Sequence, residues 1–399
     1  MVIQPKVRGF ICTTAHPIGC ETHVREWIDY VKKHSLSTQG PKKVFIIGAS
    51  TGFGLASRIV AGFGYGAQTI GVFFEKPASD KRTASAGWYN TAAYEKAAHA
   101  EGLYAKSING DAFSDEIKNQ VMDLVKKDWK GEIDLVIYSI ASPRRIHPKS
   151  QAVYSSVLKP IGQSFKNKTV DVLTGQVSMI DISEANEDEI AHTVAVMGGE
   201  DWEMWLDRLI DEKLLAPKAK TVAFTYIGPE LTHAIYRNGT IGKAKEHLEL
   251  SAAHIKKKLQ KTVGGDALIS VNKALVTQAS AAIPVVPLYI SLLYKVMKHK
   301  NLHEGCVEQM WRLFSDRLYG CNMHLDEKGR IRIDDWEMRD DVQQEVEKLW
   351  HEVQTDNIKK IADLDGYLDD FYHLFGFHFP HVDYQKEVNP EVKIESIRE

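Results

Sequence analysis

The chain has 399 residues, enough for a large core and, by length alone, two or three domains. Its formal net charge is −3 at pH 7, without a long block of one sign, so it offers no basic field for nucleic acid and no charged tail. Apolar residues make up 44 % and charged residues 26 %, the balance of a soluble globular chain, and four cysteines in this length make no disulfide framework, which suits a reducing cytoplasm.

The N-terminus has no apolar run of signal-peptide length. The greasiest stretch, "AAIPVVPLYISLL" at 281–293, is too short to span a bilayer and carries Pro284 and Pro287, so no membrane insertion is expected. Cys12, His16 and Cys20 lack a matching fourth ligand, and no metal site is expected there.

After about forty residues of N-terminal extension the chain alternates. "KVFIIGAS" (43–50) reads as a buried strand, 54–64 as a helix and "TIGVFFE" (69–75) as a second strand. A helix from "GWYNTAAYEKAAHAEG", a third strand "LYAKSING", a capped helix "SDEIKNQVMDLVKKDW" and a fourth strand at 133–142 follow. The pattern breaks from Pro143 to the helix beginning "GGEDWEMW". It resumes with a strand at 221–228, a helix at 240–260 and a strand in the first half of "ALISVNKALVT". Strands that are apolar along their length and alternate with helices imply a parallel sheet covered on both faces. The expected fold is one α/β domain over 1–399, a Rossmann-type doubly wound sheet. It would carry an insertion over 143–200 and decorations at 1–40 and 330–399.

"GASTGFG" supplies Gly48, Gly52 and Gly54 directly after the first strand and opening the first helix. In that context glycines let the backbone turn tightly and approach a pyrophosphate, whose charge lies on the helix N-terminus. The spacing G-x-x-x-G-x-G is that of short-chain dehydrogenase-like folds. Glu75 ends the second strand, where a carboxylate can accept both adenosine ribose hydroxyls and repel a 2′-phosphate, favouring NADH over NADPH. Lys76 and Arg82 nearby leave NADPH open. Asp111 and Ala112 follow the third strand, and Ser139, Ile140 and Ala141 end the fourth; topology assigns the former to adenine and the latter to the nicotinamide ribose.

"IYRNGTIGKAK" (235–245) contains Tyr236 and two lysines. On a helix starting near Thr240, the inward stripe runs through Ile241, Ala244, Leu248, Ala252, Ile255 and Leu259. Lys245 borders that stripe, while Lys243 points to the solvated side with Glu246. The proton-handling pair is therefore Tyr236 and Lys245, the lysine lowering the phenol's pKa and holding the cofactor ribose. Tyr226, at a strand's carboxyl end, reads either as a second phenol in the cleft or as a core tyrosine. Residues 281–295 read as an acyl-chain wall or as an ordinary buried helix, and Arg144 and Arg145 as contacts for an anionic carrier or as a solvated loop.

On "GASTGFGLASRI", "GWYN", "INGDAFSDEIK", "YSIASPRR", "VMGGEDW", "YRNGTIGKAKEHLE", "VNKALVTQASAAIP" and "HEGCVEQ", the chain resembles, over essentially its whole length, the trans-2-enoyl-CoA reductase and FabV-type enoyl-acyl-carrier-protein reductase family. The resemblance implies NADH-dependent reduction of the double bond of a 2-enoyl thioester carried on acyl carrier protein or coenzyme A. It implies Tyr236 as proton donor and Lys245 on the cofactor. It assigns the nucleotide loop to Gly48, Ala49, Ser50, Thr51, Gly52 and Phe53, ribose selection to Phe74 and Glu75, and adenine to Asp111 and Ala112. Ser139, Ile140, Leu275, Val276 and Thr277 match further cofactor positions, Tyr226 a substrate contact, and the expected state is a cytoplasmic monomer. Two alternatives stay open: a ketoacyl or carbonyl reductase of the same fold, and a regulator that binds NADH without turnover.

Overall fold

The computed structural model describes residues 1–34, 39–80, 82–321 and 323–397. Two short strands, β1 (Val7–Arg8) and β2 (Ile11–Cys12), lead into α1 (Pro17–Lys33). His16 Nδ1 accepts from the Gly19 N–H (3.2 Å) and Pro17 holds the first helical position, so this imidazole caps a helix.

The expected alternation then runs β3 (Lys43–Ile47), α2 (Gly52–Ile59), β4 (Gln68–Phe73), α3 (Ala86–Ala100), β5 (Ala105–Asn109), α4 (Asp115–Leu124) and β6 (Ile133–Tyr138). The insertion folds into two hairpins and one helix: β7 (Arg144–Ile146) with β8 (Val153–Ser155), β9 (Phe165–Asp171) with β10 (Gln176–Ile182), then α5 (Glu187–Met197); α6 (Glu200–Asp211) follows it. The chain returns through β11 (Leu215–Thr225), α7 (Glu230–His233), α8 (Thr240–Thr262) and β12 (Asp266–Val271). α9 (Val286–His299), α10 (Cys306–Arg312), β13 (Ile331–Arg332), α11 (Asp340–Glu352), α12 (Ile358–Ile361) and α13 (Leu364–His373) complete it.

Seven strands form one sheet in the order β13-β12-β11-β6-β3-β4-β5, every pair parallel. Val44 and Ile46 pack on one face, Phe45 and Ile47 on the other. Both faces are covered, which is why these strands read as unbroken apolar runs. From β3 the chain winds outward through β4 and β5, then crosses to β6 on β3's other side. The order reverses between β3 and β6, and the crevice beyond their carboxyl ends is the ligand-binding position of an open α/β sheet.

Several boundaries differ from the sequence expectation. β3, β4 and β6 stop at Ile47, Phe73 and Tyr138, so Glu75 and Ser139 follow their strands instead of ending them. α2 starts at Gly52 and runs on as a π-helical turn, Val60–Gly64. β11 begins six residues early because an irregularity between Leu215 and Lys220 breaks its register with β6. α5 falls inside the expected break, and its signal was present: Asn186 and Glu189 form a reciprocal capping box. The C-terminal segment is more than decoration. It adds the edge strand β13 and buries Trp350, Tyr367 and Phe371 against the core. Among the described residues no helix is long and apolar enough to cross a membrane.

Candidate active site

The glycine loop turns the chain from β3 into α2 at the switch point. Gly48 has φ +87°, and a Cβ there would lie 2.0 Å from the Ser139 carbonyl oxygen, so only glycine lets the two strand ends approach. Ser139 N–H in turn donates to the Ile47 carbonyl (2.8 Å). Thr51 makes no side-chain cap, leaving the first N–H groups of α2 open, the donor array a pyrophosphate needs. Thr277 lies close by, its Cγ2 3.8 Å from where a Cβ on Gly52 would sit. Leu275–Thr277 is held in shape by Ser280, whose Oγ donates to the Leu275 carbonyl (2.6 Å) and accepts from the Thr277 N–H (2.9 Å). This cradle fits a dinucleotide.

Glu75 lies just past β4, half-buried, accepting a hydrogen bond from Ser50 Oγ (2.8 Å). Burial raises its pKa, opposed by the hydrogen bonds of Ser85 and Ser50. Asn109 holds its backbone on both sides (2.8 and 3.0 Å). Phe74 beside it is 76 % exposed, a large apolar ring free to meet a planar group. Lys76 and Arg82 are exposed. In the loop after β5, Asp111 Oδ1 accepts from the Phe113 N–H (3.0 Å). Lys118 Nζ reaches the Ala112 and Phe113 carbonyls (2.9 Å each) and the buried Asp201 carboxylate (2.7 Å). The Asp201–Lys118 pair therefore clamps the Asp111–Ala112 loop from beneath.

Tyr236 and Lys245 are each 8 % exposed, and Lys243 is exposed and paired with Glu246 (2.9 Å), as the helix-face argument expects. Gly242 makes this approach possible. A Cβ there would meet the Arg237 carbonyl oxygen at 1.9 Å and that of Tyr236 at 2.7 Å, so the first turn of α8 presses directly on the Tyr236 loop. One expectation is corrected. Lys245 Nζ donates to the Phe224 carbonyl at the end of β11 (3.1 Å), and burial, not a neighbouring ammonium, governs Tyr236, pushing its pKa up. Burial also lowers Lys245 to about 8.

Tyr226, directly after β11, is half-buried with its ring 5.0 Å from that of Tyr236, nearly perpendicular at 79°. Its hydroxyl donates to Glu337 Oε1 (3.1 Å), a residue 111 positions away with no motif to announce it. Arg145 fits neither sequence expectation: it is 1 % exposed and donates to Glu200 and the Ala195 carbonyl (2.7 Å each), whereas Arg144 is exposed. Across residues 281–295 the chain passes from a 3-10 turn (Ser280–Ala282) through Val285 in a left-handed conformation (φ +75°) into the mostly buried α9.

A dinucleotide cradle at the switch point, with a buried tyrosine on the turn before α8 and a buried lysine on α8, defines a nicotinamide-dependent reductase of Rossmann type. Comparison with known proteins narrows the class. Residues 2–80 match the NAD(P)H binding domain of trans-2-enoyl-CoA reductase, and residues 82–319 the trans-2-enoyl-CoA reductase catalytic region. The chain belongs to the trans-2-enoyl-CoA reductase family. It is 66 % identical over 398 residues, all of this chain and 98 % of the other, to a Coxiella burnetii enoyl-[acyl-carrier-protein] reductase [NADH]. It is 58 % identical over 397 residues, 100 % of both chains, to a Ruminiclostridium cellulolyticum trans-2-enoyl-CoA reductase [NADH]. Among solved structures, Treponema denticola trans-2-enoyl-CoA reductase in complex with NAD superposes with TM-score 0.93 at 49 % identity, covering 97 % of this chain and 98 % of that one.

Residues 325–388 match a region described as the enoyl reductase FAD binding domain. The side chains there do not fit a flavin. Val342, Val346, Trp350, Leu364, Tyr367 and Phe371 interlock with the main core. Among the described residues of that segment no buried side-chain polar atom is left without a partner to receive a flavin.

Proposed function

We propose that this chain reduces the C2=C3 double bond of trans-2-enoyl thioesters, carried on acyl carrier protein or coenzyme A, to the saturated acyl thioester with NADH, the final step of fatty-acid elongation. The observation that carries the reading is the full-length family membership together with Tyr236 and Lys245, both buried near the carboxyl end of β11, where Lys245 Nζ meets the Phe224 carbonyl and the Tyr236 ring packs on Tyr226. NADH supplies a hydride, which goes to the β-carbon. The chain's own residues do the rest.

Gly48 to Phe53 and Leu275 to Thr277 hold the dinucleotide, with Ser139 and Ile140 at its nicotinamide ribose and Asp111 and Ala112 at its adenine. Glu75, beside Phe74, accepts the adenosine ribose hydroxyls and selects against a 2′-phosphate. Lys245 turns from the Phe224 carbonyl to the nicotinamide ribose. As negative charge develops on the thioester oxygen, the Tyr236 hydroxyl donates to it, aided by Tyr226. A proton then reaches the α-carbon, from Tyr236 directly or through water, completing the addition. Residues 281–295 line the acyl chain, and the unit works as a cytoplasmic monomer folded as one domain.

Loss of NADH absorbance with crotonyl-CoA, compared with NADPH, tests the reading. Tyr236→Phe is expected to cut kcat by about 10²- to 10⁴-fold while NADH still binds. Silence with enoyl thioesters on both carriers would remove the reaction and leave only the dinucleotide site.

A further inference from the structure

Glu337 lies in the turn after β13 and is fully buried. The turn is pinned at the carboxyl edge of the sheet, where the N–H groups of Ile333 and Asp334 both donate to the Val271 carbonyl (3.0 and 3.1 Å). From there the carboxyl group meets three donors. Oε1 accepts from the hydroxyls of Tyr226 (3.1 Å) and Tyr289 (2.7 Å), and Oε2 from the Ala274 N–H (2.7 Å). Gln343 Nε2 braces the group, donating to the Tyr289 hydroxyl (3.2 Å) and the Glu337 carbonyl (2.7 Å).

A phenol has one proton. While Glu337 is a carboxylate, the Tyr226 proton is committed to it, and Tyr226 presents only lone pairs to the cleft. A carboxylic acid reverses that bond: it donates to the phenol oxygen and frees the phenol's proton for an acceptor in the cleft. We propose that Glu337 is the positioning residue of Tyr226, its carboxyl group deciding whether that phenol donates or accepts in the cleft. The inference rests on the reading in which Tyr226 serves the thioester oxygen, and the acid form is then the working one.

The groups facing Glu337 pull in both directions. Lys273, the Tyr289 hydroxyl and the Ala274 N–H favour the carboxylate, while burial and Asp334 favour the acid; burial prevails and raises the pKa above the ordinary carboxylate value. Lys273 is itself buried, donating to the Ala274 carbonyl (3.0 Å) over the Tyr294 ring (5.0 Å), with Glu304 and Asp370 in its surroundings.

The test is kcat against pH at saturating NADH and enoyl thioester for the wild-type chain, Glu337→Gln and Tyr226→Phe. Saturation keeps the titration of cofactor binding out of kcat. Glutamine suits the site: its Oε1 can keep the Ala274 N–H while its Nε2 donates to both phenols at every pH. The wild-type rate is expected to fall on the alkaline side by about tenfold per pH unit, as one ionisation requires. Glu337→Gln should lose that limb and keep the NADH KM within about twofold. Tyr226→Phe should be slower and also lack it.

A wild-type profile without the limb, or a limb that persists in Glu337→Gln, overturns the inference. Tyr226→Phe at the full wild-type rate overturns the role of Tyr226 and the inference with it, whereas a slow Tyr226→Phe beside an unaltered limb in Glu337→Gln overturns the inference alone. Should Glu337→Gln not fold, Tyr289→Phe removes one donor to the carboxylate and must move the limb to higher pH; an unmoved limb counts against Glu337.

Discussion

Raising the pH from about 7 to about 9 at constant ionic strength should weaken NADH binding by about tenfold, and Lys245→Met should abolish that dependence. Burial sets the Lys245 pKa at about 8, with no acidic partner among the described residues to restore it from the ordinary 10.5. The protonated share of such a lysine falls from about ten to one at pH 7 to about one to ten at pH 9. If the ammonium is the form that bonds the nicotinamide ribose, affinity follows that share. Lys245→Met should already bind NADH about 10- to 100-fold more weakly at neutral pH, the worth of a hydrogen bond to a charged group. Titration of NADH fluorescence at three pH values for both proteins is the assay. A tenfold pH dependence that survives in Lys245→Met would refute the assignment of Lys245 to the cofactor.

The same lysine makes a stability prediction of definite sign. Its folded pKa lies below its unfolded one, so between about pH 8 and 10.5 the unfolded chain binds more protons and stability rises with pH. The difference of 10.5 and about 8 corresponds to at most about 3 kcal/mol, and Lys273, also lowered to about 8 by burial, adds a similar amount. Urea midpoints on either side of that window should show the rise, reduced in Lys245→Met. Gly87→Ala tests ribose selection: a Cβ there would lie 2.0 Å from Glu75 Oε1 and 2.7 Å from Ser50 Cβ, forcing the carboxylate off Ser50. Its NADH KM is expected to rise about tenfold with the preference over NADPH narrowed, the loss of one charge-assisted hydrogen bond. An unchanged cofactor ratio would remove Glu75 from the selection. Asp201→Ala leaves Lys118 buried without its carboxylate and should cost about 3–5 kcal/mol by denaturant midpoint; a midpoint equal to wild type would show that the pair is not a clamp.

The cofactor end of the site was legible because local rules encode it. Gly48, Gly52 and Gly54 announce a tight strand-to-helix turn, and the apolar runs around them announce a sheet buried on both faces. Helical periodicity was enough to separate Lys245 from Lys243, and burial of the one beside exposure of the other follows from the stripe on α8. What escaped is of two kinds. Backbone irregularities moved boundaries: the break between Leu215 and Lys220 lets β11 start early, and no periodicity marks it. Long-range pairings moved roles. Arg145 looks like any loop arginine until Glu200 and the Ala195 carbonyl take it into the core, and the burial that raises the Tyr236 pKa comes from tertiary packing that the helix stripe does not show.

Glu337 shows why such pairings matter. An acidic residue in "DDWEMRDD" looks solvated, and its burial follows only because the edge strand β13 joins β12 at the sheet's carboxyl end and hands the next turn to the site. The two ends of the crevice are thus supported by chemistry of opposite character. Under the Asp111–Ala112 loop, Lys118 and Asp201 form a closed ion pair whose donors and acceptors all have partners, so that loop is fixed. At the tyrosine end, a single carboxyl group is shared between two phenols and a backbone N–H, with its nearest cation, Lys273, turned to a carbonyl. A fixed clamp suits recognition of a cofactor that does not change charge where it is held. A hydrogen-bond arrangement with a reversible direction suits the end where, in the proposed reaction, an oxygen gains charge and a proton must be offered.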